Sequence, residues 1–287
     1  MVDPPLVRIC DLAGRPRGAG FTVDDRGTVV TGHEAVDGLG RLVLHAPGGA
    51  TCVVGPEAVL EFPAVGLAVV RAEALGVPPL PLAPGGPLPT GAYVRIPAGG
   101  WREARVLGHG PATYTATDRF HAIDDVMELA MGTAGADALR LGGGAAGGPV
   151  LDAVTGAVVA VLGTALQTGH RSAGLAVPLH TAVAADPQGL LAGLLARNAT
   201  TVPAYGDQLN AAGVLQLAAV SVGSEGPAPD AAPDPVERPD VVRELAAFDT
   251  GDATVLALVG DPGSGRTTEL AALAARRACG AAPAPTV

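Results

Sequence analysis

One histidine and a glycine-rich segment carry the residue types that could do acyl-transfer chemistry in this chain. Residues 139–152, LRLGGGAAGGPVLD, place five glycines around Ala145 and Ala146, immediately before an apolar run. Glycines let the backbone approach a ligand closely and point N–H groups at a developing oxyanion. His33 ends the segment GAGFTVDDRGTVVTGH, and an imidazole exchanges protons near neutral pH. Position 146 nevertheless holds a methyl group where an attacking oxygen would be needed.

The elements that must position these residues are short β-strands. Between residues 6 and about 180, apolar runs of four to nine residues alternate with turns rich in glycine and proline, such as DDRG and APGG. Many short strands at regular spacing, without long amphipathic helices between them, predict an all-β barrel or sandwich. His33 is then expected at the end of a strand, and Ala146 in a turn that leads into another.

Three segments together resemble the trypsin-like serine protease family of the bacterial cytoplasmic type. Residues 18–36 resemble its first catalytic segment, a hairpin whose second strand ends in threonine, a small residue and histidine. Residues 142–163 resemble its glycine–x–serine–glycine–glycine–proline–valine segment, and residues 174–179 resemble the strand that lines the substrate channel. The resemblance covers about residues 6–180. It implies an all-β fold with a double β-barrel, here followed by a C-terminal helical and linker extension and a partial P-loop α/β unit.

The resemblance also assigns roles to individual positions. His33 falls on the catalytic histidine, Gly66 on the catalytic acid and Ala146 on the nucleophilic serine. The backbone N–H groups of Gly144 and Ala146 fall on the oxyanion hole. Because the serine and the acid are both absent, the resemblance implies a pseudoprotease that binds a peptide or a protein partner without cutting it. Whether the chain is an enzyme stays open at this stage.

Replacement groups for the missing side chains are weak by position. The two cysteines Cys10 and Cys52 lie in predicted strands, where a buried thiol is usually inert. Glu61 lies five residues upstream of Gly66 and is a poor substitute by register. The chain has four serines, Ser172, Ser221, Ser224 and Ser264. Only Ser172 precedes the channel strand, and it lies just before it. An active serine-type endopeptidase with a non-standard nucleophile remains the alternative.

The other polar residues of the β region are predicted to be structural. Asp124 and Asp125 are adjacent, which favours a solvated turn over a pair of catalytic acids. Residues 137–141 and 174–177 would line the specificity pocket, and their small apolar side chains favour small substrate residues. Five further histidines show no metal-ligand spacing and are predicted at the surface or in turns: His45, His109, His121, His170 and His180. No metal site is predicted.

A second glycine-rich motif predicts part of a nucleotide site. GDPGSGRTT, residues 260–268, follows the apolar run TVLALV and precedes an alanine-rich helix, which is the context of a P-loop. Backbone N–H groups would cradle the phosphates of ATP, with Mg²⁺ on the threonine and arginine in place of lysine. The motif resembles the ATPase modules of multidomain bacterial signalling proteins. The nucleotide-binding positions are Gly260, Gly263, Gly265, Arg266 and Thr267.

Four regions follow from these patterns. Residues 1–182 are predicted to form the trypsin-like domain, and residues 183–222 a helical extension. Residues 223–240 contain mostly proline, alanine and acidic residues, which predicts a disordered linker. Residues 241–287 are predicted to begin a P-loop NTPase that lacks its second acidic strand, so no competent ATPase is expected and further NTPase domains would lie outside this chain.

Composition limits the partners. A formal charge of −10 disfavours nucleic acid, and no apolar run approaches the length of a membrane-spanning helix. The start of the chain has no secretory pattern, so we expect a cytoplasmic protein. The favoured function is a peptide- or protein-binding pseudoprotease that regulates a P-loop signalling ATPase, with no cofactor in the protease-like domain. A nucleotide-binding protein that uses the β domain as a scaffold is a further alternative.

Overall fold

A computed structural model describes residues 3–72, 75–83, 85–141, 144–169, 174–220, 238–250 and 256–279. The chain divides into two compact units, Met1–Gln208 and Leu209–Val287. The predicted linker, residues 223–240, lies almost entirely outside the described residues. The boundaries predicted from the sequence at residues 182, 222 and 240 stay predictions.

The first seven strands form one curled antiparallel sheet. Its order is β5-β4-β1-β2-β3-β7-β6, so the hairpin β2–β3 lies near its centre. Valine and other β-branched residues dominate these strands, and such residues suit a half-buried pleated surface. The strands are β1 Val7–Cys10, β2 Pro16–Thr22, β3 Thr28–Gly32, β4 Leu42–His45, β5 Thr51–Val54, β6 Val59–Phe62 and β7 Leu67–Arg71.

The next seven strands form a second antiparallel sheet that closes on itself. Strand β10 pairs with both β14 and β9, which completes a ring through β12, β11 and β8, and β13 adds to β9. The strands are β8 Tyr93–Pro97, β9 Trp101–Thr115, β10 Phe120–Ala130, β11 Pro149–Asp152, β12 Val158–Gly163, β13 Leu166–Gln167 and β14 Gly174–Pro178. The two curled sheets confirm the predicted all-β double-barrel fold.

Three helices complete the first unit. Helix α1 spans Thr133–Leu141, α2 spans Leu179–Ala185 and α3 spans Leu190–Thr201, with Pro187 between α2 and α3. Leucines of α3 are buried in the same core as residues from both sheets, so these helices pack as part of the barrel unit. No helix of the described residues is long and apolar enough to cross a membrane.

Asn198 fixes α3 to the segment that connects the two sheets. Its side chain is fully buried, and its Nδ2 donates to the carbonyls of Val23 (2.7 Å) and Leu80 (2.9 Å). Its Oδ1 accepts from the N–H of Leu82 at 2.8 Å. Three hydrogen bonds satisfy this buried amide and three backbone groups at once. Asn198 therefore ties α3 to the connection between the barrels, in addition to the backbone hydrogen bonds of that segment.

The second unit is helical where it is described. Its helices are α4 Ala211–Val220, α5 Pro239–Thr250 and α6 Arg266–Cys279, and α4 packs with α6. The predicted apolar strand before the P-loop motif is wrong in its described part, because residues 256–260 form no regular structure. A strand needs a neighbour for its backbone hydrogen bonds, and the described part of this unit contains no other strand.

Candidate active site

His33 opens a short 3₁₀ turn, His33–Ala35, immediately after β3. Its backbone N–H donates to the carbonyl of Gly66 at 2.9 Å, and its side chain is almost fully buried. Gly66 ends the turn Pro63–Val65 with a φ of +63°, in the left-handed region that glycine adopts without strain. The positions predicted for the histidine and the acid are therefore neighbours, although Gly66 brings no side chain.

The loop around Ala146 is seated against the first sheet. Its carbonyl accepts from the N–H of Ala19 at 2.7 Å, and the N–H of Gly147 donates to Leu162 at 2.7 Å. Gly147 has a φ of +78°, and a Cβ there would collide with Thr31 and the N–H of Gly32. Because Gly32 directly precedes His33, this contact brings the loop beside the histidine.

The N–H groups predicted to form the oxyanion hole have no hydrogen-bond acceptor among the described residues. Neither Gly144 nor Ala146 donates its backbone N–H to any residue in the described part of the chain. Gly144 is exposed, whereas Ala146 is buried. Two unpaired N–H groups two residues apart in a glycine-rich turn can bind a carbonyl or carboxylate oxygen. The neighbouring glycines, residues 142 and 143, lie outside the described residues.

Two side chains lie close to the nitrogens of the His33 imidazole. The hydroxyl of Tyr114 lies 2.6 Å from Nδ1, and Oε2 of Glu61 lies 3.5 Å from Nε2. Burial, together with the negative charges of Asp37, Glu34 and Glu61, raises the pKa of Tyr114, so its phenol keeps its proton and can donate to Nδ1. Glu61 lies at ion-pair distance, so its negative charge favours hydrogen on Nε2 without a hydrogen bond that would fix it there.

These partners favour the Nε2–H form of His33, although a phenol can also accept from Nδ1–H. The Nε2–H form is the opposite of the form that a general base needs, in which Nδ1 carries the hydrogen and the Nε2 lone pair faces the nucleophile. The same conclusion holds for a doubly protonated imidazole, which also has hydrogen on Nε2. In either of these forms His33 offers no base at Nε2.

Glu61 reaches His33 through strand register, but at Nε2 and not at Nδ1, where the acid of a triad would lie. Glu61 pairs with Ala68 across β6 and β7, and Ala68 pairs with Thr31 across β7 and β3. Three residues in one cross-strand row share a face of the sheet. His33 follows Thr31 by two positions, so the carboxylate lies next to its ring.

Glu34 connects the His33 turn with the second sheet. Its carboxylate accepts from the N–H and the hydroxyl of Thr164, both at 2.6 Å. Burial raises the pKa of Glu34, while the hydrogen bonds of Thr164 and the charge of Arg17 oppose that shift. This bridge fixes the turn of His33 to the β12–β13 connection.

The predicted specificity pocket is packed with apolar side chains. A Cβ at Gly174 would collide with Met131 and lie 3.3 Å from the side chain of Leu139. Residues 137–141 form the end of α1, and residues 174–177 form β14, as expected for two walls of one space. Met131 and Leu139 fill that space at the Gly174 end.

A separate polar cluster surrounds Asp125, and it shows that the prediction of a solvated turn is wrong. Strand β10 continues through Asp125, with an irregular register between Ile123 and Val126 that turns this side chain inward. Asp125 lies 3.0 Å from a ring nitrogen of both His109 and His180, and it accepts from the hydroxyl of Thr181 at 2.8 Å. These two histidines are therefore structural ligands of a carboxylate.

Asp125→Asn is expected to cost stability at neutral pH but not in acid. Burial raises the pKa of Asp125, yet the hydrogen bond of Thr181 and the charge and hydrogen bond of His109 outweigh it, so the pKa is lowered from 3.8. A lowered folded-state pKa stabilises the fold above the unfolded value and loses this contribution as pH falls through the folded value. We expect a loss of about 1 kcal/mol at pH 7 that shrinks below pH 3.8.

Urea denaturation of the variant and the parent between pH 2.5 and 7 measures this difference. Asp124→Asn is the matched control, because its side chain is exposed on the same strand, and it should change stability by less than about 0.5 kcal/mol. A difference that does not vary with pH would contradict the role of Asp125 as an ionised hydrogen-bond acceptor.

The positions predicted to bind nucleotide lie at the start of α6 and in the turn before it. Gly263 and Gly265 have φ values of +81° and +79°, and the helix begins at Arg266. Arg266 and Thr267 are exposed, while Glu269 is buried and pairs with Arg238 at 2.8 Å. The turn and the helix start agree with the motif, but the strand that should precede them is missing from residues 256–260.

Two antiparallel barrels, with a histidine at the end of a first-barrel strand beside a glycine-rich loop of the second, define the class of trypsin-like peptidase folds. The sequence profile of the trypsin-like peptidase domain matches residues 18–161, just over half of the chain. The chain belongs to this family.

Solved structures resemble the chain only distantly. A serine-to-alanine mutant of Rv3671c from M. tuberculosis H37Rv, in its inactive form, is 24% identical, with a TM-score of 0.46, and the match covers 70% of this chain and 89% of that one. Deg5 is 21% identical, with a TM-score of 0.44 and coverage of 63% and 85%. The HtrA-type protease AlgW with a tripeptide is 15% identical, with a TM-score of 0.43 and coverage of 61% and 55%. No curated protein matches the chain.

Proposed function

We propose that the barrel unit is a pseudoprotease that binds a peptide or a segment of a protein partner without cutting it. The observation that carries this proposal is the state of His33, whose Nε2 faces the carboxylate of Glu61 at 3.5 Å. Ala146, at the position of the nucleophile, has no oxygen to activate. Hydrolysis thus lacks the attacking group, and the Nε2–H form of His33 lacks the base that would activate it as well.

Binding is supported by the parts of the site that remain. The unpaired N–H groups of Gly144 and Ala146 can hold an oxygen of a peptide, and they need no side-chain nucleophile to do so. Removal of the catalytic groups from such a site leaves binding and oxyanion contacts in place. No observation in the described residues favours the alternative of an active endopeptidase with another nucleophile.

Peptide binding without cleavage is the expected result when the chain is mixed with a fluorescein-labelled library of octapeptides. Anisotropy should saturate for a subset of sequences, and mass spectrometry after overnight incubation should recover them intact. A fluorophosphonate probe, which labels activated serines, should leave the mass of the chain unchanged. Stoichiometric labelling, or clipped peptides in a sample free of contaminating proteases, would refute the proposal. So would the absence of any saturable binding.

We further propose that this unit regulates a P-loop ATPase module, with ATP and Mg²⁺ as the ligands of the motif at residues 260–268. The glycine conformations and the start of α6 support this, and the missing strand weighs against tight binding by this chain alone. Fluorescence of mant-ATP with Mg²⁺ should rise weakly with the parent chain and not at all with Arg266→Glu. Equal signals from both chains would contradict a role for this motif.

A further inference from the structure

A cavity of about 560 Å³ lies between the β1–β2 turn and the segment that follows His33. The turn contributes Asp11, Leu12, Ala13 and Arg15, and the other wall consists of residues 38–41. Both walls lead to the candidate active site, since β2 runs from this turn to Ala19, which bonds the carbonyl of Ala146. The other wall continues from Asp37, whose N–H donates to the carbonyl of His33.

Both walls are held in a fixed shape. The carboxylate of Asp11 is buried and accepts from the N–H groups of Ala13 (2.9 Å) and Arg15 (3.0 Å) and from Nε of Arg15 (2.6 Å). On the opposite side, Asp37 accepts from the N–H of Thr117 at 2.7 Å and from its hydroxyl at 2.8 Å. A cavity whose walls are already ordered loses little entropy when it binds a ligand.

The lining is positive although the chain carries a net charge of −10. Asp11 is the one carboxylate in it, and its oxygens are used by Arg15 and the turn. Arg15 keeps its side chain 80% exposed, and Arg41 is exposed and pairs with no carboxylate of the described residues. Leu12, beside them, exposes 64% of its surface. The surroundings combine two guanidinium groups with one apolar side chain.

From this lining we infer that the cavity binds a carboxylate side chain of an extended peptide, with an apolar neighbour of that residue resting on Leu12. A guanidinium binds a carboxylate through two parallel N–H···O bonds, and Arg41 has no internal partner that would compete. The inference rests on the proposed peptide binding and adds its chemical preference: acidic side chains on the part of the ligand that passes the β1–β2 turn.

The test compares two fluorescein-labelled decapeptides of alanine and valine that differ at two central positions, glutamates in one and glutamines in the other. The glutamate peptide should bind about fivefold more tightly in 50 mM NaCl, as expected for one partly exposed ion pair. Arg41→Glu should abolish this preference and favour a third peptide with lysines at the same positions. Arg26→Glu is the control, because Arg26 is exposed outside the cavity lining.

The outcomes separate this inference from the proposed function. Equal affinities for the glutamate and glutamine peptides, or a preference that survives Arg41→Glu, would refute the assignment of the cavity as a carboxylate site. The proposed peptide binding would stand. If none of the three peptides binds the parent chain although the octapeptide library contains binders, the cavity assignment is wrong and the proposed binding function stands; if the library contains no binder either, both are wrong. Circular dichroism of each variant shows whether the barrel unit has kept its fold.

Discussion

Ala146→Ser alone is expected to leave the chain without measurable peptide hydrolysis. The substitution returns an oxygen to the predicted position of the nucleophile, but the Nε2–H form of His33, which the charge of Glu61 favours, has no lone pair there to accept the serine proton. A histidine held in the wrong tautomer lowers the rate of a complete triad by about 10⁴-fold. Gly66, at the position of the acid, cannot accept a hydrogen from Nδ1, which Tyr114 occupies instead.

Fluorophosphonate labelling with intact-mass detection is the measurement, because it reports activation of a serine without any knowledge of the substrate. The labelling rate of the Ala146→Ser chain should stay below about 1% of that of an active trypsin-like peptidase at equal concentration. This limit follows because a wrong tautomer lowers the rate by about 10⁴-fold. The triple variant Ala146→Ser, Gly66→Asp and Tyr114→Phe supplies the nucleophile and an acid while removing the competing phenol. It should label faster than the single variant.

Rapid labelling of the single variant would show that Nε2 of His33 can accept a proton despite Glu61, and it would remove the main support for the pseudoprotease. Nitrogen chemical shifts of His33 test the same point in the parent chain. They should show hydrogen on Nε2 in the neutral ring, since Tyr114 donates to Nδ1. A neutral ring with hydrogen on Nδ1 would contradict the assignment.

Local patterns were sufficient to predict the strands, whereas the position of His33 beside the glycine-rich loop was predicted from the family resemblance. A run of β-branched residues that ends in Thr31, Gly32 and His33 indicates a strand by its composition alone. The glycines of the loop indicate a close approach of two backbones. Gly32 against Gly147 is such an approach, with Gly147 3.3 Å from a Cβ built at Gly32.

The partners of the histidine could not be predicted because they depend on register between distant strands. Tyr114 reaches His33 from 81 residues away, and its position on β9 is set by pairing with His121 and Leu166. One step of slippage would turn Tyr114 to the other face of its sheet. No sequence signal marks that register. The same holds for Asp125, which is directed inward by an irregular pairing of β10.

Gly147→Ala is expected to destabilise the barrel unit by about 3 kcal/mol or more, from overpacking and a left-handed backbone that alanine resists. A Cβ at this position would lie 2.5 Å from both the carbonyl of Ala19 and the N–H of Gly32, and it would collide with the hydroxyl of Thr31. These are backbone atoms of two central strands and a buried side chain, so none can move aside cheaply.

Gly144→Ala, three residues earlier in the same loop, is the matched control. No heavy atom of the described residues lies within 4 Å of the position that its Cβ would take. Its free energy of unfolding, measured by urea denaturation, should therefore stay within about 0.5 kcal/mol of the parent. If Gly147→Ala proved as mild as this control, the loop could not be packed against the end of β3. Ala146 would then lose its place beside His33. The proposals that the unit binds peptide and does not hydrolyse it both require this packing of the loop beside His33.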